Sequence, residues 1–245
     1  VCDKYLIDTI YTQKEWTTEE QQTTKLIKRT LSKLSFIENY DQFLYHPTTV
    51  CHDFSNIPEV FTSFRKEVEE KVTIQAEKFI PKLPKENLLK NGTTIPSLTD
   101  LGFENFEKDQ KTAFPFYGGE STALKRVQEY FFETKKVSYY KKTRNGLLGT
   151  DYSTKFSPWL ANGSISAKTI YWELKKYEKE YGANQSTYWV IFELIWRDYF
   201  KYISLKHQNK IFRITGSLEK NYSWNRDKKA IKNWIEGTTK DDFVN

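Results

Sequence analysis

TRNGLLGTDYSTKFSPWLANGSIS, Thr143 to Ser166, and STYWVIFELIWRDYFKY, Ser186 to Tyr202, are the two stretches whose pairing decides the fold. The first places an arginine, a run of hydroxyls (Ser153, Thr154, Ser157) and Lys155 in a turn that opens onto an apolar segment. Hydroxyls and unpaired backbone N–H groups at a helix start attract anions. Arg144 and Lys155 add positive charge, so the turn suits a phosphate or pyrophosphate. The same residues also read as an ordinary cap, with Pro158 at the first helical position after Ser157. The second stretch is apolar almost all round, which marks a buried helix. Glu193 and Arg197 lie four apart on one face of it. They read either as a buried ion pair packed by Trp196 and Phe200, or as a polar pair aimed into a cavity for a polar, planar ligand.

Working outward, helical patterning continues from Gly118 nearly to the end: Glu120–Phe132, Lys136–Lys142, Pro158–Leu160, Ser166–Tyr181, Thr187–His207 and Asp227–Gly237. Ser166, Ser186 and Gly237 stand where caps belong. Upstream the pattern changes. YLIDTIYT (Tyr5–Thr12) alternates like a strand. TTEEQQTTKLIKRTLSKL follows with a threonine cap, early acids and Leu26, Ile27, Thr30, Leu31 and Leu34 at helical spacing. A second short strand is expected near Asp41–Tyr45. Strand, helix and strand of this size make the unit of a parallel α/β layer. One such unit is not a domain, so its other strands are expected to lie outside the chain. Glu59–Phe79 reads as one helix. Residues 80–115 are punctuated by Pro81, Pro84, Pro96 and Pro115 and read as loop.

The 245 residues carry a net charge of +6, unevenly spread: residues 111–245 hold 24 Lys+Arg against 14 Asp+Glu. A basic second half fits a polyanion such as nucleic acid, and lysine-rich solvated helix faces give similar numbers. Aromatic residues make up 16% of the chain, with seven Trp, which fits a ring-packed helical core. Two cysteines, Cys2 and Cys51, are no disulfide framework, and no apolar run is long enough to span a bilayer. A reducing, cytoplasmic setting without a membrane partner is expected. His46, His52 and His207 are scattered, so no metal site is expected. No GxGxxG, GxxxxGK[ST] or GxSxG occurs, which removes support for standard dinucleotide, P-loop and hydrolase sites.

GGESTALKRVQEYFF (Gly118–Phe132), the hydroxyl turn and the ELIWRDYF helix, in that order, resemble the photolyase/cryptochrome family, most closely its DASH cryptochromes. IYTQKEWTTEE and TSFRKEVEE resemble, more loosely, the end of that family's antenna domain and its interdomain linker. The resemblance implies a mainly α chain: a partial α/β, Rossmann-like antenna segment (residues 1–45), a linker with one helix (46–110) and the first part of an all-helical FAD-binding domain (111–245). It also implies an internal piece of a longer, monomeric protein.

By the same resemblance FAD is the cofactor. Tyr140 and the turn Ser153, Thr154, Lys155, Phe156 and Ser157 would contact its phosphate and ribose. Glu193 and Arg197 would sit at the cofactor and substrate cavity. Trp196 would stack on a flipped-out pyrimidine dimer, and Arg144 would grip DNA phosphate. Trp224 would be the surface end of a tryptophan electron relay. Trp234 reads as a core residue. Glu15 would hold an antenna folate (methenyltetrahydrofolate). The implied activity is light-driven repair of cyclobutane pyrimidine dimers, preferring single-stranded or looped DNA. The alternatives are a blue-light signalling flavoprotein without repair, and a piece that binds no flavin.

Overall fold

A computed structural model describes residues 2–78, 82–87, 92, 94–104 and 107–244. By compactness the chain divides into Val1–Lys206 and His207–Asn245. Neither expected boundary, at residue 45 or 110, coincides with that division.

The larger unit opens with two parallel strands, β1 (Thr9–Gln13) and β2 (Ser35–Asn39), in register from Thr9 opposite Ser35 to Gln13 opposite Asn39. They are joined by α1 (Thr18–Thr30). The strand–helix–strand reading holds in type and shifts in place. Residues 2–6 form turns rather than the start of the first strand. The second strand is SFIEN, not Asp41–Tyr45. SFIEN alternates between faces, as a half-buried strand must. Phe43, Leu44 and Tyr45 are instead a fully buried run that is not strand. The helix ends at Thr30 instead of Leu34, and it buries no residue: Leu26 is 65% exposed. A two-stranded sheet offers too narrow a face to cover the apolar stripe expected to pack there. Thr17 occupies the N-cap without capping a backbone N–H; its hydroxyl donates to the Glu20 carboxylate, which holds that acid below its usual range.

The start of the expected linker (residues 46–110) contributes to the core through Ile57, Phe61 and Phe64, next to the buried run Phe43–Tyr45. After the short α2 (Pro47–Val50), Phe61 and Phe64 of α3 (Phe61–Lys71) pack on Tyr199 and Tyr202. Tyr202 Oη donates to the Tyr45 carbonyl at 2.8 Å, and Tyr199 Oη to the Glu59 carbonyl at 2.5 Å. α3 stops at Lys71, well before Phe79, which itself lies outside the described residues. Val72, Thr73 and Ile74 are β-branched, and the chain turns extended at Val72 (φ −120°, ψ 123°). Ile74 then enters the core, and the Trp172 indole N–H donates to the Gln75 carbonyl at 3.0 Å.

The helical layer follows. α4 (Glu120–Gln128) runs into a π-type turn at Glu129–Glu133. A 3₁₀ turn leads into α5 (Tyr140–Thr143), then α6 (Ser157–Asn162), α7 (Ala167–Tyr181) and α8 (Gln185–His207). Ser166 caps α7 as expected, accepting from Thr169 N at 2.9 Å. The α8 cap is Asn184, not Ser186: its side-chain oxygen takes the N–H groups of Ser186 and Thr187 at 2.7 and 3.0 Å. Ser186 Oγ instead accepts the Lys141 N–H at 3.1 Å, pinning α5 to the start of α8. Along α8 the buried residues Val190, Ile191, Leu194, Ile195, Asp198, Tyr199, Tyr202 and Leu205 form a stripe rather than a full collar. Phe200 is 64% exposed.

In the smaller unit, α9 (Lys228–Ile235) is capped by Asp227, and Gly237 takes the left-handed φ of 62° expected just past a helix end. No helix among the described residues is long and apolar enough to cross a membrane.

Candidate functional site

The turn after α5 is built from beneath. Ala123, Arg126, Val127 and Tyr130 share the buried side of α4 and its continuation. Arg126 therefore enters the core, with its side chain 1% exposed. A buried guanidinium needs a partner for each donor. It finds the carbonyls of Thr150, Ser153 and Thr154 at 3.2–3.3 Å, and Asp151 Oδ1 at 3.1 Å. Lys136 also pairs with Asp151, and these hydrogen bonds, led by that from Lys136, hold the Asp151 carboxyl below its usual range. Gly146 allows the turn to close: a Cβ there would lie 2.9 Å from Tyr152 Cβ.

α5, α6, α8 and this turn enclose a cavity of about 590 Å³. Tyr140, Arg144, Ser153, Thr154, Lys155, Phe156, Ser157, Glu193 and Arg197 all line it. Residues spread over more than fifty positions of sequence thus meet at one place. The apolar part of the wall is Leu160, Ala161, Val190 and Leu194.

Ser157 is not the cap of α6. Phe156 holds that position with helical backbone (φ −76°, ψ −16°), and no side chain caps the helix. Among the described residues the hydroxyls of Ser153, Thr154 and Ser157 make no hydrogen bond within the protein. They remain available to a ligand. Lys155 has a left-handed φ of 62°, and its ammonium lies 3.7 Å from the centre of the Tyr152 ring. Burial, and then the Glu193 carboxylate, push the Tyr140 phenol up.

Glu193 and Arg197 do not pair with each other. Glu193 forms an ion pair with Arg144, across from the end of α5. Arg197 donates to the Gln42 carbonyl at 2.6 Å and the Leu160 carbonyl at 3.4 Å, and lies 3.6 Å from Asp198 Oδ1. The buried Glu193–Arg197 bridge, one of the two readings of that pair, is not formed; each side chain makes its own contacts. They fasten the wall at both ends, one to α5 and one to α6 and the segment after β2.

Asp198, fully buried beside Arg197, accepts the Tyr45 N–H at 2.8 Å through Oδ2, while Oδ1 has no hydrogen-bond partner among the described residues. Burial raises its carboxyl from 3.8 to about 7, against the opposing pull of the backbone N–H groups and Arg197.

Four of the residues singled out in the sequence lie elsewhere. Trp196 is not part of the cavity wall; one face of its indole is stacked on Phe61, with ring centres 3.5 Å apart and planes at 9°. Trp224 is 58% exposed in the smaller unit, against Tyr222, and Trp234, expected to be core, is 66% exposed there. Glu15 lines a second cavity of about 480 Å³ with Trp16, Asp41, Gln42, Arg197 and Lys201. It accepts hydrogen bonds from Gln13 and Gln42. Arg126 and Asp198 were missed by sequence reasoning. Each sits at a position of an apolar helical stripe, and a charge on such a stripe is the signal that could have found them. No group of His, Cys, Asp and Glu that could hold a metal occurs among the described residues.

Comparison with known proteins places this geometry in a family. The family model described as DNA photolyase matches residues 1–85. Cryptochrome DASH of Xenopus laevis is 43% identical, over 97% of this chain and 46% of the relative. The chloroplastic/mitochondrial Cryptochrome DASH of Arabidopsis thaliana is 41% identical, over 94% of this chain and 41% of the relative. A crystal structure of a Synechocystis cryptochrome superposes with a TM-score of 0.88 at 37% identity, covering 99% of this chain and 51% of that one. A class III photolyase from Agrobacterium tumefaciens, 19% identical with a TM-score of 0.72, shares the fold over 96% of this chain and 48% of its own. The chain is similar along nearly its whole length to proteins of the photolyase/cryptochrome family. Within it, the relatives matched at about 40% identity are DASH cryptochromes, and the chain spans about half their length.

Proposed function

We propose that the 590 Å³ cavity is the phosphate and ribose side of an FAD site, and that the protein carrying it acts on DNA under blue light. One observation carries this reading: Tyr140, Arg144, the Ser153–Ser157 turn, Glu193 and Arg197 converge on one cavity, with three hydroxyls left unspent. The donor set fits the group. A diphosphate asks for hydroxyl and cationic donors, and Ser153, Thr154, Ser157 and Lys155 supply them. Glu193, an acceptor, suits a hydroxyl or amine further along the ligand.

When bound, the flavin supplies the light-driven electron transfer. The residues of this chain bind and orient it, and the apolar wall of Leu160, Val190 and Leu194 excludes water from one side. In the finer form of the proposal, the substrate is a cyclobutane pyrimidine dimer in single-stranded or looped DNA, where extruding a base costs least. Arg144 at the cavity rim is the phosphate contact. The Glu15 cavity, between the α/β, Rossmann-like segment and helices α6 and α8, is the candidate seat of an antenna folate. A gel assay of dimer repair in a single-stranded oligonucleotide, run with flavin-loaded full-length protein under blue light, tests the enzymatic part. Repair that requires both light and flavin is expected. Flavin-loaded protein that repairs nothing overturns the repair reading in favour of a signalling flavoprotein.

A further inference from the structure

The guanidinium of Arg126 lies 4.9 and 4.8 Å from the ring centres of Phe116 and Tyr130 and 3.3 Å from Glu129 Oε1, and its hydrogen bonds go to the turn. The carbonyls of Thr150, Ser153 and Thr154 point at it. A trans peptide group is planar, with C=O and N–H directed oppositely. The N–H groups of Asp151, Thr154 and Lys155 therefore point away from Arg126. Among the described residues no backbone N–H from Ser153 to Ser157 donates within the protein. Lys155 has a left-handed φ of 62°, and Phe156 follows with right-handed backbone. Such an alternation curls successive N–H groups into a concave anion-binding nest.

We propose that Arg126 is a positioning residue. It draws the carbonyls of the turn to the core side, so that the N–H groups of Thr154 and Lys155 face the cavity and take a diphosphate. This rests on the reading of the cavity as a flavin-dinucleotide site. Without the buried cation, carbonyl oxygens are free to turn toward the cavity and repel the anion. The planar fork of arginine reaches three carbonyls and a carboxylate at once; a lysine ammonium is a single point donor group and does not.

The test uses the full chain and three probes: inorganic pyrophosphate, ADP and adenosine, titrated into wild type, Arg126→Lys and Arg126→Met. For Arg126→Met the expected result is a loss of about tenfold or more in pyrophosphate and ADP affinity, with adenosine unchanged. Amide hydrogen exchange across residues 150–156 rises in parallel, and Arg126→Lys falls between the two. Unchanged pyrophosphate affinity, or an equal loss for adenosine, overturns the proposal and leaves the flavin reading standing. If Arg126→Met does not fold, Arg126→Lys carries the same comparison. A wild-type chain that binds neither ADP nor FAD sinks the flavin reading, and this proposal with it.

Discussion

Glu193 on α8 pairs with Arg144 at the end of α5 and leaves Arg197, four residues along its own helix, to bind the carbonyls of Gln42 and Leu160. The two side chains of the pair are 30% and 34% exposed. An ion pair that open to water is worth about 0.2–1 kcal/mol. The pair therefore orients Arg144 without carrying much of the fold.

Arg144→Ala is for that reason a clean test of DNA binding. It should weaken binding of a single-stranded oligonucleotide and reduce the slope of log K against log salt by about one contact. Fluorescence anisotropy at several salt concentrations reads both. A weaker affinity with an unchanged slope would argue against a phosphate contact.

Ser153→Ala with Ser157→Ala removes two hydroxyls that make no hydrogen bond among the described residues. Stability should stay within about 0.5 kcal/mol of wild type, as for substitutions away from any packed or bonded feature. FAD retention in the intact, full-length protein should fall. Thermal unfolding and flavin content per chain measure the two effects. Unchanged flavin content would count against the assignment of the turn.

Asp198 gives a prediction with a defined sign. Its carboxyl is raised from 3.8 to about 7 in the folded chain, so the folded state holds a proton that the unfolded state has lost between those values. Stability must then fall as pH rises from about 4 to about 7, by up to about 4 kcal/mol at 1.36 kcal/mol per unit. Asp198→Asn keeps an acceptor for the Tyr45 N–H and removes the titration. Urea unfolding at pH steps should show the decline flattened in the variant. The same decline in both proteins would place its cause elsewhere.

Much of this was legible in the sequence, and the rest was hidden for physical reasons. The cavity residues were readable because a hydroxyl turn and a carboxylate and arginine on one helix face announce their chemistry locally. Which charge meets which is not local. Arg144 and Glu193 are 49 residues apart, and helical spacing alone favoured the Glu193–Arg197 alternative that the fold does not use. Phe43, Leu44 and Tyr45 resembled a strand because a buried run has the same composition whether or not its backbone joins a ladder. The stripe of α1 looked core-facing, but amphipathicity states what a helix has to bury, not whether a partner is present.

Titration of FAD into the purified 245-residue chain, followed by quenching of flavin fluorescence, tests the central claim most directly. Saturable binding that ADP displaces, and that Ser153→Ala with Ser157→Ala weakens, is the predicted result. A chain that folds with its helical content intact and leaves FAD fluorescence unchanged would contradict the assignment of this cavity.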